Sequence, residues 1–187
     1  MYVIVGLGNP EEDYSKTRHN MGFEVINKIS SKYNISVNKL KFNSLYGTGV
    51  IEGEKVVLVK PQTFMNLSGE AVIEFVKFYK IDFNRLIVIY DDIDTEPGII
   101  RIRKMGGPGT HNGMKSVVNF LKTDKFPRVR VGIGMPDRKT DLINYVIGHI
   151  NEEEYNNLLI GVNKAENAIT EILKNNIDMA MNKYNNI

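Results

Sequence analysis

The 187-residue chain predicts an α/β fold: a single-domain, three-layer sandwich with a mixed, twisted central sheet flanked by helices. Three observations carry the prediction. Tyr2–Val5 and Leu86–Tyr90 are short, continuous apolar runs, the pattern of strands covered on both faces. Segments with apolar residues at three- and four-residue steps lie between and after them, as in amphipathic helices. Ile99–Arg103 and Arg128–Ile133 alternate basic and apolar residues, as strands with one wetter face do. No linker, repeat or low-complexity block interrupts the alternation, so residues 1–187 read as one domain.

Each element has its own signal. Tyr2–Val5 runs into Gly6-Leu7-Gly8-Asn9-Pro10, a strand followed by a turn. Met21–Tyr33 carries Phe23, Ile26, Ile29 and Tyr33 on one helical face. Phe42–Ile51 and Lys55–Lys60 flank Glu52-Gly53-Glu54 and predict a hairpin, which Pro61 ends. Ser68 is expected to cap a helix over Gly69–Tyr79. After Leu86–Tyr90 come Asp91, Asp92 and Asp94, a Pro97-Gly98 turn and the strand Ile99–Arg103. A glycine-rich stretch, Gly106–Gly113, leads into a helix over Met114–Leu121, and Arg128–Ile133 is the next strand. From Glu152 to Leu173 the rhythm is helical again.

Composition narrows the chemistry. The chain has no cysteine, which excludes disulfides, thiolate nucleophiles and Cys-ligated zinc. No run approaches the ~18 apolar residues of a membrane span, and no secretory signal pattern opens the chain. A cytoplasmic protein without membrane attachment is expected, and the size and weak net charge of +2 suit a monomer. The first glycine turn fails as a dinucleotide fingerprint, because Glu11 occupies the third glycine position and Pro10 distorts the turn. The second glycine stretch lacks the Lys-Ser/Thr ending of a phosphate loop. There is no G-x-S-x-G elbow and no H-E-x-x-H pair. Asp91, Asp92 and Asp94 could ligate a divalent ion, but a polar turn is the simpler reading, and no metal or cofactor is expected.

The polar residues at the strand ends are more telling. His19 follows the first strand, at the sheet edge where ligands of α/β proteins bind. A neutral imidazole there can take a proton near pH 7. Asp91, the first residue after the buried run, is placed to hold a histidine's tautomer. His111 could be a hydrogen-bonding loop residue or a ligand contact, and His149 reads as structural or exposed. Asn9, Asn66 and Asn112 each sit in a short polar loop before a helix. Singly they read as turn formers, and together as a neutral amide lining.

Taken with their order, these segments resemble bacterial-type peptidyl-tRNA hydrolase. The resemblance rests on Gly6-Leu7-Gly8-Asn9-Pro10, Tyr14, Thr17-Arg18-His19-Asn20 and Gly22; on Lys60-Pro61 with Thr63 to Gly69; on Asp91-Asp92, Asp94 and Pro97-Gly98 followed by Gly106-Gly107, Gly109, His111-Asn112-Gly113 and Lys115; and on Arg128 to Gly134 with Pro136. Glu11 and Thr110 stand where the family often has glycine, and Pro108 and Met135 where some members carry histidine. The resemblance implies an esterase that cleaves the bond between a peptide and the 3′ ribose of tRNA, recycling tRNA dropped from stalled ribosomes. It implies His19 as general base on water, Asp91 orienting it and Asn9 beside it. Asn66 and Asn112 would contact substrate or the oxyanion, Met65 would line the cleft and Tyr14 would pack near it. The partner that the resemblance implies is peptidyl-tRNA. Arg101, Arg103, Lys104, Arg128 and Arg130 could track acceptor-stem phosphates, Arg103 and Arg130 foremost. The alternative is a non-catalytic, RNA-binding relative of the splicing-factor kind.

Overall fold

The computed structural model describes residues 1–136 and 141–185. Arg138 and Lys139, which continue the basic residues of the Lys122–Arg130 region in the sequence, lie outside the described residues. The strands are β1 Tyr2–Gly6, β2 Lys39–Lys41, β3 Ser44–Ile51, β4 Glu54–Pro61, β5 Leu86–Asp92, β6 Ile100–Arg103 and β7 Arg128–Gly132. The helices are α1 Met21–Tyr33, α2 Ser68–Tyr79, α3 Asn112–Leu121, α4 Leu142–Ile147, α5 Glu152–Lys174 and α6 Ile177–Tyr184. The strands form one seven-stranded sheet in the order β2-β3-β4-β1-β5-β7-β6. β4, β1, β5 and β7 are parallel, and β3, β2 and β6 are antiparallel additions at the two sides. The sheet is therefore mixed, as the hairpin and the alternating strands predict.

Alternate residues of the parallel strands serve two cores. Ile4, Leu58, Ile87 and Ile89 join α1 and α5 on one face. Val3, Val5, Val59 and Val88 join α2 and α3 on the other. All seven residues of β5 are buried, which accounts for its unbroken apolar run. Glu52 and Gly53 turn the β3–β4 hairpin with φ of 51° and 81°. Positive φ at both central residues matches the twist of the flanking strands.

Three expectations are revised. Ser68 is the first residue of α2, not its cap: its hydroxyl donates to the Met65 carbonyl at 2.8 Å, closing the short turn before the helix. The edge strand β2 has no readable signal because it is three residues long and none of them is buried. The last helical stretch is followed by a separate helix, α6. Its Asn185 donates to the Ile102 carbonyl and accepts from the Ile102 amide, at 3.0 and 2.7 Å, which covers the exposed side of β6.

The glycines at the end of β1 have a packing reason. A Cβ on Gly6 would lie 2.1 Å from the Gly22 carbonyl oxygen, and one on Gly22 would lie 2.4 Å from that of Leu7. Strand and helix thus meet backbone to backbone. The four parallel strands end on one edge, which gathers the segments carrying Asn9, His19 and Met65 around Asp91 near the end of β5.

Candidate active site

Asp91 ends the buried part of the central strand and is 3% exposed. Its carboxylate lies between two imidazoles. Nδ1 of His19 is 2.9 Å from both carboxylate oxygens, and Nε2 of His111 is 2.9 Å from Oδ1. His19 sits on a short 3-10 turn, Arg18–Asn20, that leads directly into α1. His111 is the N-cap of α3: its Nδ1 accepts the Met114 N–H at 3.2 Å.

That cap decides the protonation pattern. A nitrogen that accepts a hydrogen bond carries no proton, so the neutral His111 ring is protonated on Nε2 and donates to Asp91. An ionised carboxylate only accepts, so Nδ1 of His19 donates as well. The lone pair of His19 is then on Nε2. Burial alone would push the Asp91 carboxyl up, but the two histidines beside it hold it well below the usual carboxylate range. Burial would lower the His19 pKa, yet the charge and hydrogen bond of Asp91 outweigh it and raise the value above 6.5.

His19, Asp91 and His111 offer three ligand atoms within 4.8 Å of one another. Two imidazoles and a carboxylate are a donor set that zinc accepts. The set does not suit an ion here. His111 could ligate through Nε2 only with its proton on Nδ1, where it would face the Met114 N–H. Asp92 and Asp94 are engaged elsewhere. Asp92 accepts from Arg130 Nη2 at 2.6 Å and from the Thr95 hydroxyl, and Asp94 lies 3.5 Å from Arg130. Asp92 and Asp94 are thus joined through Arg130, apart from the Asp91–histidine group.

Asn9 and Asn20 join the turn after β1 to the His19 segment. The Asn9 N–H donates to Asn20 Oδ1 at 2.8 Å, and Asn20 Nδ2 donates to the Asn9 carbonyl at 2.9 Å. Asn9 Oδ1 accepts the Met65 N–H at 2.9 Å. The side-chain oxygen of Asn9 is thereby committed, and its amide nitrogen is the half that remains to donate. Met65 is buried, with its sulfur where a Cβ on Gly113 would lie 2.6 Å away. It therefore packs beneath the site rather than opening into the cleft. Asn66 and Asn112 are exposed and border a shared groove with Lys115 and Phe120. Tyr14 is half-buried, and its carbonyl accepts from the Thr17 hydroxyl at 2.9 Å.

A cleft of about 310 Å³ opens over His19 and Asp91. The glycine stretch forms one side, with Arg103 and Arg130 beyond it, and α4 forms another through Leu142, Ile143 and Val146. Asn112 borders both this cleft and the groove. Arg103 is exposed at the rim. Arg128 corrects the expectation for the basic strands. It is 1% exposed and donates to the carbonyls of Gly106, Gly107 and Asp124, so it holds the glycine stretch and is not available to phosphates. Arg101 donates to the Asn185 carbonyl at 2.5 Å, and Lys104 pairs with Asp178 at 2.7 Å. Sequence reading left His111 undecided and passed over Asn20 and Arg128 as site-building residues. The one available signal for His111 was its place just before a helix, where a ring nitrogen can cap.

Comparison with known proteins shows the family and the fold. The family model described as peptidyl-tRNA hydrolase matches residues 3–187. A peptidyl-tRNA hydrolase of Alkaliphilus metalliredigens is 54% identical over 99% of this chain and 100% of its own. One of Clostridium botulinum is 51% identical over 99% of this chain and 96% of its own. The crystal structure of peptidyl-tRNA hydrolase from Acinetobacter baumannii superposes with a TM-score of 0.92 at 36% identity, covering 98% of this chain and 93% of that one.

Proposed function

The chain belongs to the peptidyl-tRNA hydrolase family, and we propose that it hydrolyses the ester between a peptide and the 3′ ribose of tRNA with His19 as the general base. The observation that carries the assignment of roles is the double donation to Asp91. With His111 and His19 both donating to one carboxylate, Nε2 of His19 is left with its lone pair.

The reaction follows from that arrangement. Nε2 of His19 takes a proton from water as the water oxygen attacks the ester carbonyl. Asp91 stabilises the imidazolium without taking its proton. The carbonyl oxygen becomes an oxyanion, to which the exposed amides of Asn112 and Asn66 can donate without adding charge. The tetrahedral intermediate collapses with cleavage of the bond to the ribose oxygen, and His19 returns its proton to that oxygen. General-base assistance of this kind supplies ~10²–10⁴-fold, and an oxyanion donor ~2.7–4 kcal/mol. Asn9 keeps the turn after β1 fixed against the His19 segment and offers its amide nitrogen to the substrate. Tyr14 and Met65 support the site from the turn and from below. Arg103 and Arg130 take phosphates of the tRNA.

Mutual support of His19, Asp91 and His111 also favours an active enzyme over a non-catalytic RNA-binding relative. A monomer in the cytoplasm suits the reading; no helix among the described residues is long and apolar enough to cross a membrane. The direct test is release of the acyl group from an N-acetylaminoacyl-tRNA, with and without a chelator. Wild-type protein should turn over in both conditions, and His19→Ala should lose about 10²-fold or more while keeping its melting temperature. Near-normal turnover by the variant removes His19 as the base, and loss of wild-type activity with chelator reinstates a metal.

A further inference from the structure

We propose that Arg18 is a positioning residue that fixes α4, one wall of the cleft, to the turn that carries the base; the inference rests on His19 being that base. Arg18 does not point at the cleft. Its Nε donates to Glu154 Oε1 at 2.8 Å, and its Nη2 lies 2.6 Å from the same oxygen. Its Nη1 donates to the Tyr145 carbonyl at 2.7 Å, and the guanidinium carbon lies 3.9 Å from the Tyr145 ring centroid. The side chain is 12% exposed. One planar group thus grips α4 by its backbone and by a ring face, and α5 by a carboxylate.

The helix it grips sits shallowly on the core, with Tyr145 and Val146 packed half-buried against it. α4 is six residues long and none of them is buried. It nevertheless supplies Leu142, Ile143 and Val146 to the cleft, with Ile143 60% exposed. Two further contacts anchor it. The Tyr145 hydroxyl donates to the Ile133 carbonyl at 2.8 Å, and Thr17 bridges to His149 just beyond the helix. Arg18 is covalently next to His19, so the distance from the apolar wall to the base is set by adjacent residues. Only a guanidinium suits the role, because it presents a rigid fork and a stacking face together; an ammonium offers a point charge.

The wall contributes binding surface without touching the proton relay. Arg18→Ala should therefore raise KM for an N-acetylaminoacyl-tRNA at least tenfold, with the midpoint of the pH–rate profile unmoved. Arg18→Lys should restore less than half of that loss. Tyr145→Ala should give a similar rise, and the double variant should be no worse than the poorer single one. Hydrogen exchange should quicken in residues 142–147 of Arg18→Ala and stay unchanged in the central strand. An unchanged KM overturns the proposal, as does a shifted pH midpoint at constant KM, which would make Arg18 a charge acting on His19. So does exchange that quickens throughout the protein, which would make Arg18 a general stabiliser. If the wild type proves inactive, the functional reading fails, while hydrogen exchange still decides whether Arg18 tethers the wall.

Discussion

Asp91→Asn isolates the orientation of the base from its presence. The variant keeps the size of the side chain but replaces one oxygen by an NH₂ donor. The structure determines which one. The Met114 N–H fixes His111 as a donor from Nε2, so the position 2.9 Å from it, now Oδ1, must hold the amide oxygen. The NH₂ group is then forced to the Oδ2 position, 2.9 Å from Nδ1 of His19. A donor there turns His19 to the other tautomer, with its proton on Nε2 and no lone pair toward water. The ion pair that stabilises the imidazolium is lost as well. Wrong tautomer and lost charge together should lower kcat by about 10²–10⁴-fold, or about 2.7–5.4 kcal/mol of transition-state stabilisation. KM should stay within about twofold, since Asp91 is buried beneath the cleft. The assay is steady-state release from an N-acetylaminoacyl-tRNA, with thermal melting as a control for folding. Less than a tenfold loss of kcat would refute the tautomer argument. An equal loss in binding would assign Asp91 a structural role.

The remaining predictions concern pH, salt and stability. Only neutral His19 can act as base, so kcat/KM should rise with pH, with its midpoint above 6.5 because Asp91 outweighs the effect of burial; a midpoint below that value contradicts the ion pair. In Asp91→Asn only burial remains, and the midpoint should move below 6.5. Arg103→Ala and Arg130→Ala should each raise KM and reduce the slope of log affinity against log salt by about 1, measured by filter binding from low to moderate salt. Arg128→Ala leaves three carbonyls without their buried donor and should cost about 3 kcal/mol, seen as a melting temperature lower by about 6–12 °C.

Much of the architecture was legible from periodicity, because each strand and helix of the two cores has to hide a regular set of apolar residues. The alternation of Val3 and Val5 with Ile4 is the local imprint of a sheet covered on both sides. β2 escaped because it is an exposed edge of three residues, and α4 because its six residues make fewer than two turns, too short a run for a helical period to show. α6 does carry a stripe, Ile177, Ala180, Met181 and Tyr184 at three- and four-residue steps, but it is only eight residues long and only Ala180 is fully buried, so the signal is short.

At the site, residue types and their strand-end positions were enough to single out His19, Asp91 and the three asparagines, and the resemblance supplied their expected roles. Pairing is another matter, since it depends on how the chain returns to place two residues 72 positions apart side by side. No local signal distinguishes Arg128, buried against three carbonyls, from Arg130, two residues along the same strand and half-buried at the cleft. Successive residues of a strand face opposite ways, but these two share a face, and only packing against the glycine stretch separates them. Likewise the sequence by itself determined that a histidine would follow the first strand and that a carboxylate would end the buried run Leu86–Tyr90. Tertiary structure alone decided that a second histidine, capping a helix, would donate to the same carboxylate. A hydrogen-bond direction is set by every partner in the chain of bonds, and those partners meet only in the folded protein.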